Sequence, residues 1–203
     1  MSIRYRTQGI VLAHTDRGEA DRVFTVFTRD FGKLALWGIS ARSIRSKLRG
    51  NMETLAHADI EFVQGKAKKT LTDAVAHSSY PSLRKNLKKL RTALRIAETF
   101  RQLVRGEEQD EALWNLLSVA LHELELLEDD ASFSLFYFSF FWRLMSALGY
   151  RPSIFAADPA FRIASVLATL PYREALNAVP HDAKLHATAL RKLAKEYISQ
   201  LTA

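Results

Sequence analysis

Gln8-Gly9-Ile10-Val11-Leu12-Ala13-His14, Arg22-Val23-Phe24-Thr25-Val26-Phe27-Thr28 and Lys33-Leu34-Ala35-Leu36-Trp37 are three short runs rich in β-branched and aromatic residues. The turn-like Asp16-Arg17-Gly18 and Arg29-Asp30-Phe31-Gly32 part them. Leu55 to Val63 makes a fourth run, in which Ile60 and Phe62 alternate against Asp59 and Glu61. Gly65-Lys66 turns the chain into a fifth, Lys69 to Val75. Five short strands spaced by Gly-containing turns predict a small all-β barrel.

A five-stranded barrel of this length is most economically an OB-fold, whose open face and flanking loops hold single strands. Alternation in the third run turns Leu34 and Leu36 inward and leaves Lys33 and Trp37 on the other face. A base can stack on the indole while cations hold the backbone; ordinary packing against the rest of the protein is the other use for such a tryptophan. Lys66, Lys68 and Lys69 make a basic turn that lies along the same groove or simply wets a hairpin tip. Glu19 and Asp21, with Asp16 nearby, resemble a carboxylate cluster. They flank Gly18 beside Arg17 and Arg22 without a further ligand at fixed spacing, which predicts a turn held by ion pairs rather than a metal site.

Between the third and fourth runs lies Gly38-Ile39-Ser40-Ala41-Arg42-Ser43-Ile44-Arg45-Ser46-Lys47-Leu48-Arg49-Gly50, with four cations and no acid. Such a loop is expected to stay unburied and to take its counter-ion from outside. Nucleic-acid phosphate is the commonest candidate, because each docked cation releases a condensed counter-ion, and a merely solvated basic loop is the other reading. Arg42, Arg45, Lys47 and Arg49 are therefore candidate DNA-binding residues, with Lys33, Trp37, Lys66, Lys68 and Lys69.

From Pro81 the period changes to that of helices, so the chain divides into residues 1–80 and an all-α part, 81–203. Leu83, Leu87, Leu90, Leu94 and Ala97 are expected on one face of a first helix that begins at Pro81 and stops before Gly106. Arg84, Lys88, Arg91 and Arg95 form a basic stripe on its other side, widened by Lys85 and Lys89, that either wets the helix or takes phosphate or an acidic peptide. Glu107 to Leu127 makes a second helix with an acidic start, and Phe133 to Leu148 a third, apolar almost all round, at the centre of a bundle. Asp158-Pro159 opens a short fourth and Asp182 to Leu201 a last amphipathic one, with Pro171 and Pro180 breaking the path between.

The net charge of +7 is segregated. Residues 1–80 carry 13 Lys/Arg against 8 Asp/Glu, 81–105 carry 8 against 1, 106–130 none against 9, and 131–203 carry 8 against 4. A basic and an acidic surface on one small protein imply two partners or an oriented approach to a polyanion. The 203 residues contain no cysteine, which excludes disulfides, thiol nucleophiles and cysteine-ligated metal sites. No run reaches a bilayer span, and no secretory leader follows Met1, so a cytoplasmic protein is expected. Neither a P-loop, a dinucleotide fingerprint, His-Glu-x-x-His nor a Gly-x-Ser-x-Gly elbow occurs, so no enzyme and no catalytic residue is predicted.

Several segments together resemble the RecO family of bacterial recombination mediators. They are Gly9-Ile10-Val11-Leu12, Glu19-Ala20-Asp21-Arg22, Thr28-Arg29-Asp30-Phe31-Gly32-Lys33, the basic loop from Ala41 to Gly50, and Phe140 through Gly149-Tyr150-Arg151-Pro152. The resemblance implies an OB barrel on a helical domain that binds single- and double-stranded DNA. It also implies annealing of complementary strands and assistance to RecA on DNA covered by single-strand-binding protein, close to the nucleoid. RecR and the acidic C-terminal tail of single-strand-binding protein would be partners, the latter at Arg84, Lys88, Arg91 and Arg95. The chain departs from the family in lacking the cysteine zinc module after the Gly-Tyr-x-Pro element, so no metal or cofactor is expected. Ser40 stands where the family usually has Gly, and Ile39 where it often has a cation, which thins the DNA groove. Against this mediator stands a helical adaptor with a vestigial barrel that grips an acidic protein tail; a nuclease is a third and weaker class.

Overall fold

The structure is a computed structural model and describes residues 3–129, 132–150, 159–179, 188–195 and 199. Its first half is a closed barrel of five strands, β1 (Arg4–Arg17), β2 (Asp21–Thr28), β3 (Gly32–Gly38), β4 (His57–Gln64) and β5 (Lys69–Ser78). The order round the barrel is β1-β2-β3-β5-β4, with every pairing antiparallel except β3 with β5. A short helix, α1 (Leu48–Asn51), falls between β3 and β4. This is the OB arrangement that the turn spacing predicts. The strands run further than their apolar cores suggest. β1 is long enough to pair with β4 through residues 4–10 and with β2 through 9–17, and a register shift after Val11 lets it bend between the two.

Alternation does the packing. Phe24, Val26, Leu34, Leu36, Ile60, Phe62 and Leu71 fill the barrel, and Ala41, Leu48 and Met52 close its interior from the segment after β3. That segment therefore buries part of itself, contrary to the expectation from its composition. The reason is the spacing of its three apolar anchors, which fold inward while the cations between them turn out.

The helical half begins with α2 (Pro81–Lys85) and α3 (Leu87–Leu103), followed by α4 (Glu111–Leu126), α5 (Phe133–Ala147), α6 (Pro159–Thr169) and α7 (Tyr172–Ala178). α5 is the centre, with eleven of its fifteen residues buried. The one long helix expected from Pro81 is two. Asn86 leaves helical geometry and its side chain accepts the Lys88 and Lys89 backbone N–H groups, capping α3 afresh. The break rotates the buried face to Lys89, Ala93, Ile96, Ala97 and Phe100, so Leu87 and Leu94, expected in the core, are 61% and 40% exposed. Pro171, expected to break the path after α6, directly precedes α7, and Pro180 lies outside the described residues. Helix recurs over 188–195, within the last predicted element; the rest of that element and the Arg151-Pro152 end of the Gly-Tyr-x-Pro motif lie outside the described residues.

Barrel and helices share one apolar cluster. Ile10, Leu12, Phe27 and Leu55 from the barrel side pack with Phe100, Trp114, Leu117 and the α5 aromatics. Phe27 meets the Phe100 ring edge-on at 4.7 Å. Gly32 shows how close the contact is: its φ is +61°, and a Cβ there would lie 2.4 Å from the Glu108 carbonyl oxygen.

Candidate nucleic-acid interface

The outer face of β2 and β3 forms the floor of an open trough of about 610 Å³. Val23, Ala35 and Trp37 pave it, Arg17 rises at the β1–β2 hairpin, and Gln64, Lys66, Lys68 and Lys69 border it from the β4–β5 hairpin. Alternation puts Trp37 there, because its neighbour Leu36 fills the barrel. The indole Nε1 donates to Asp21 Oδ2 at 2.8 Å, and Asp21 Oδ1 accepts from the Ser40 backbone N–H at 2.8 Å. Those donors, the Ser40 amide first, hold the Asp21 carboxyl below the usual carboxylate range. Trp37 is thus fixed by its edge, and Lys68 Nζ covers the ring at 4.1 Å from the centroid.

The basic segment leaves the trough at Gly38 and is tied at once to the β1–β2 hairpin. Arg42 donates from its backbone to Ala20 O at 2.9 Å and from its guanidinium to Gly18 O at 3.3 Å, and it pairs with Asp16 at 3.4 Å. Asp16 also takes Arg22 at 2.8 Å. Asp16 and Asp21 therefore hold the turn around Gly18 together, the use the spacing predicts. Arg42 does have an internal counter-ion, which corrects the expectation that the segment lacks one. Arg45, Lys47 and Arg49 are exposed and enter no ion pair among the described residues.

Three other cations have work inside the fold. Lys33 Nζ donates to the carbonyls of Arg101, at 2.7 Å, and Val104, so it caps the C-terminal end of α3 instead of facing the trough. Burial lowers its pKa, with Arg101 and Arg105 adding to the effect. Lys69 is at the trough edge but holds both oxygens of Glu107, at 2.7 and 2.8 Å. Arg84, read as part of the helical stripe, pairs with Glu53 at 3.1 Å and donates to Thr54 O and Ser79 O, fastening α2 to the barrel.

The stripe is narrower than its composition suggests. Lys89 is 4% exposed and donates to Ser82 Oγ at 2.8 Å and Glu125 O at 2.9 Å, capping α4. Arg95 lies over Tyr137, its Cζ 3.6 Å from the ring centroid. Lys88, Arg91 and Arg95 remain on the outer side of α3, interleaved with exposed Leu87 and Leu94. Arg17 is the residue that sequence reading missed at the trough; its place between a strand end and Gly18 looked only like a turn.

Two family models match the chain, the N-terminal part of recombination protein O over residues 1–80 and the C-terminal part over residues 84–156. The chain belongs to the RecO family. Among curated relatives, a DNA repair protein RecO of Acaryochloris marina is 36% identical over 126 residues, which cover 62% of this chain and 43% of that protein. One from Roseiflexus is 29% identical over 151 residues, 74% of this chain and 52% of the relative. One from Rubrobacter xylanophilus is 32% identical over 150 residues, 74% of this chain and 59% of the relative. The matches thus span about half the length of these RecO proteins. Among the described residues, no three His, Asp or Glu side chains are grouped so as to hold a metal ion, and no helix is long and apolar enough to cross a membrane.

Proposed function

We propose that this RecO-family chain acts in DNA repair and recombination by binding DNA along the β2–β3 trough. In this reading it anneals complementary single strands and assists RecA on DNA covered by single-strand-binding protein, with no bond chemistry of its own. The observation that supports it most is Trp37, an edge-fixed indole on the open face of an OB barrel, flanked by Arg17, Lys66 and Lys68. A base stacking on that indole moves the Lys68 ammonium aside to a phosphate. Arg45, Lys47 and Arg49 then extend the cationic track beyond the β1–β2 hairpin. Annealing is an encounter between two polyanions, so neutralising phosphate charge and holding bases apart from one another accelerates it.

The test is a titration of labelled single-stranded DNA at several salt concentrations. Replacing Arg45, Lys47 and Arg49 by Ala is expected to flatten the logarithmic salt dependence by about 2, at about 0.7 per phosphate contact. Trp37→Ala is expected to weaken binding about tenfold with the slope unchanged, since stacking is worth about 1–3 kcal/mol per base. Unchanged affinity and slope in both variants would remove the trough from the mechanism.

The outer side of α3 supports a second contact. Leu87, Arg91 and Leu94 follow one another at helical spacing, with Lys88 and Arg95 beside them, so apolar and cationic groups share one surface. That mixture suits an acidic peptide with apolar side chains, such as the tail of single-strand-binding protein, and it is also where an adaptor without DNA affinity would act. Binding of an acidic peptide that survives neutralisation of Arg45, Lys47 and Arg49 but fails in Arg91→Ala/Leu94→Ala would identify that surface. RecR is a further proposed partner.

A further inference from the structure

The tip of the basic segment carries an unusual side chain. Ala41 is fully buried and Leu48 is 8% exposed, so both ends of the stretch between them are pinned into the barrel. Arg42 adds its bonds to Gly18, Ala20 and Asp16. The intervening backbone is not a free coil. Ser43 N donates to Ser40 O at 3.0 Å, Ser46 N donates to Ser43 O at 3.0 Å, and Ser40 takes a φ of +52°. These two successive turns project Ile44, which is 88% exposed and lies between Arg42 and Arg45.

Single exposed isoleucines are common on protein surfaces and by themselves mean nothing. Ile44 differs in where it stands. It is the sole apolar residue among the six of the tip, its neighbours are cations and serines, and the turns beneath it are anchored at both ends. An apolar tip anchored at both ends and surrounded by phosphate-seeking groups has the chemistry of a wedge: the cations hold two successive phosphates while the apolar side chain enters between the bases, away from water. A water-facing loop that only collected phosphates would gain more from a polar or charged residue at that point.

We infer that Ile44 is a wedge that inserts between adjacent bases of the bound DNA strand and unstacks them. This rests on the DNA-binding reading above and adds to it a residue that acts on base stacking rather than on charge. It also gives the tip a task distinct from that of Trp37. The indole offers a surface on which a base rests, whereas Ile44 parts two bases that were in contact, which leaves their pairing edges open to a complementary strand.

The experiment uses the full chain and single-stranded oligodeoxynucleotides rich in adenine, with 2-aminopurine placed at one step, whose fluorescence rises when its neighbours unstack. Binding of the unaltered chain is expected to raise the signal. Ile44→Ala is expected to lose most of that rise and to bind about fivefold more weakly, with an unchanged salt slope because no charge is removed. Ile44→Lys adds a cation, so it is expected to steepen the slope by about 0.7 while still failing to unstack. Equal fluorescence rises in the unaltered chain, Ile44→Ala and Ile44→Lys would overturn the wedge and leave DNA binding intact. Absence of a rise despite saturation would do the same. No binding at low salt would overturn the DNA reading itself, and the wedge with it.

Discussion

The segment after β3 and the pair α2–α3 are both cation-rich in sequence, yet the fold treats them differently. After β3, one of four cations has an acid partner, Arg42 with Asp16, and Arg45, Lys47 and Arg49 stay exposed. Along α2–α3, Arg84 binds the barrel, Lys89 caps α4 and Arg95 covers Tyr137. The difference follows from what each packs against. Beyond Arg42 the projecting turn faces solvent, whereas a helix in a bundle meets the carbonyl ends and acidic side chains of its neighbours. Counting cations overstates the binding charge of a packed helix far more than that of a protruding turn.

The sharpest way to break this comparison is at Lys89. Lys89→Ala leaves the Glu125 carbonyl without its donor in a buried place and is expected to lower stability by about 2 kcal/mol. Thermal unfolding would show it, and DNA affinity at a temperature well below the transition should not change. A weaker DNA complex with unaltered stability would return Lys89 to the binding surface.

Glu107 probes the opposite case, an acid that holds a trough cation. Glu107→Gln frees Lys69 and is expected to tighten single-stranded DNA two- to threefold, with a slope steeper by about 0.7. A salt titration checks both, and no gain would mean that Lys69 is tied to the fold by more than its ion pair.

The smallest effect concerns pH. His57 is partly buried, its Nε2 has no hydrogen-bond partner among the described residues, and its ring lies 5.5 Å from that of Trp114 at the junction of barrel and helices. Burial, with His77 beside it and opposed by Asp59, lowers its pKa from the ordinary histidine value. The folded protein therefore binds the His57 proton less readily than the unfolded chain. The neutral ring's contribution is complete above about pH 6.5 and falls as the medium is acidified through that value towards the lower, folded one. His57→Gln is expected to show less loss of melting temperature between pH 7.5 and 5.5 than the unaltered chain; equal losses would exonerate His57.

The barrel was legible in sequence because its information is local: glycine-bearing turns separate runs whose alternation already says which residues face inward. The helical register was not, because Asn86 resets it by capping two backbone amides, and the apolar spacing of Leu83, Leu87, Leu90 and Leu94 runs on across that cap as if one helix continued. Trp37 could be placed on the outer face from Leu36 alone. Lys33, on the same strand, could not be assigned, since its partners are carbonyls about seventy residues later. Arg17 was hidden by the opposite effect, a residue that looks like part of a turn and borders a groove made by other strands. Long-range partners are what a linear reading lacks, and cations, which bond to almost any oxygen, suffer most from it.

The joint between the two halves carries a mechanical consequence. Phe27, on the strand that floors the trough, rests against Phe100 near the end of α3, whose outer side bears Leu87 and Leu94. Lys33 clamps the last carbonyls of that same helix and Gly32 is pressed on the loop beyond it, so strand and helix are joined at three points. Cutting the chain after residue 80 would strip the cover from Ile10, Leu12 and Phe27, so the cylinder would leave solution as aggregate rather than survive as a smaller binder.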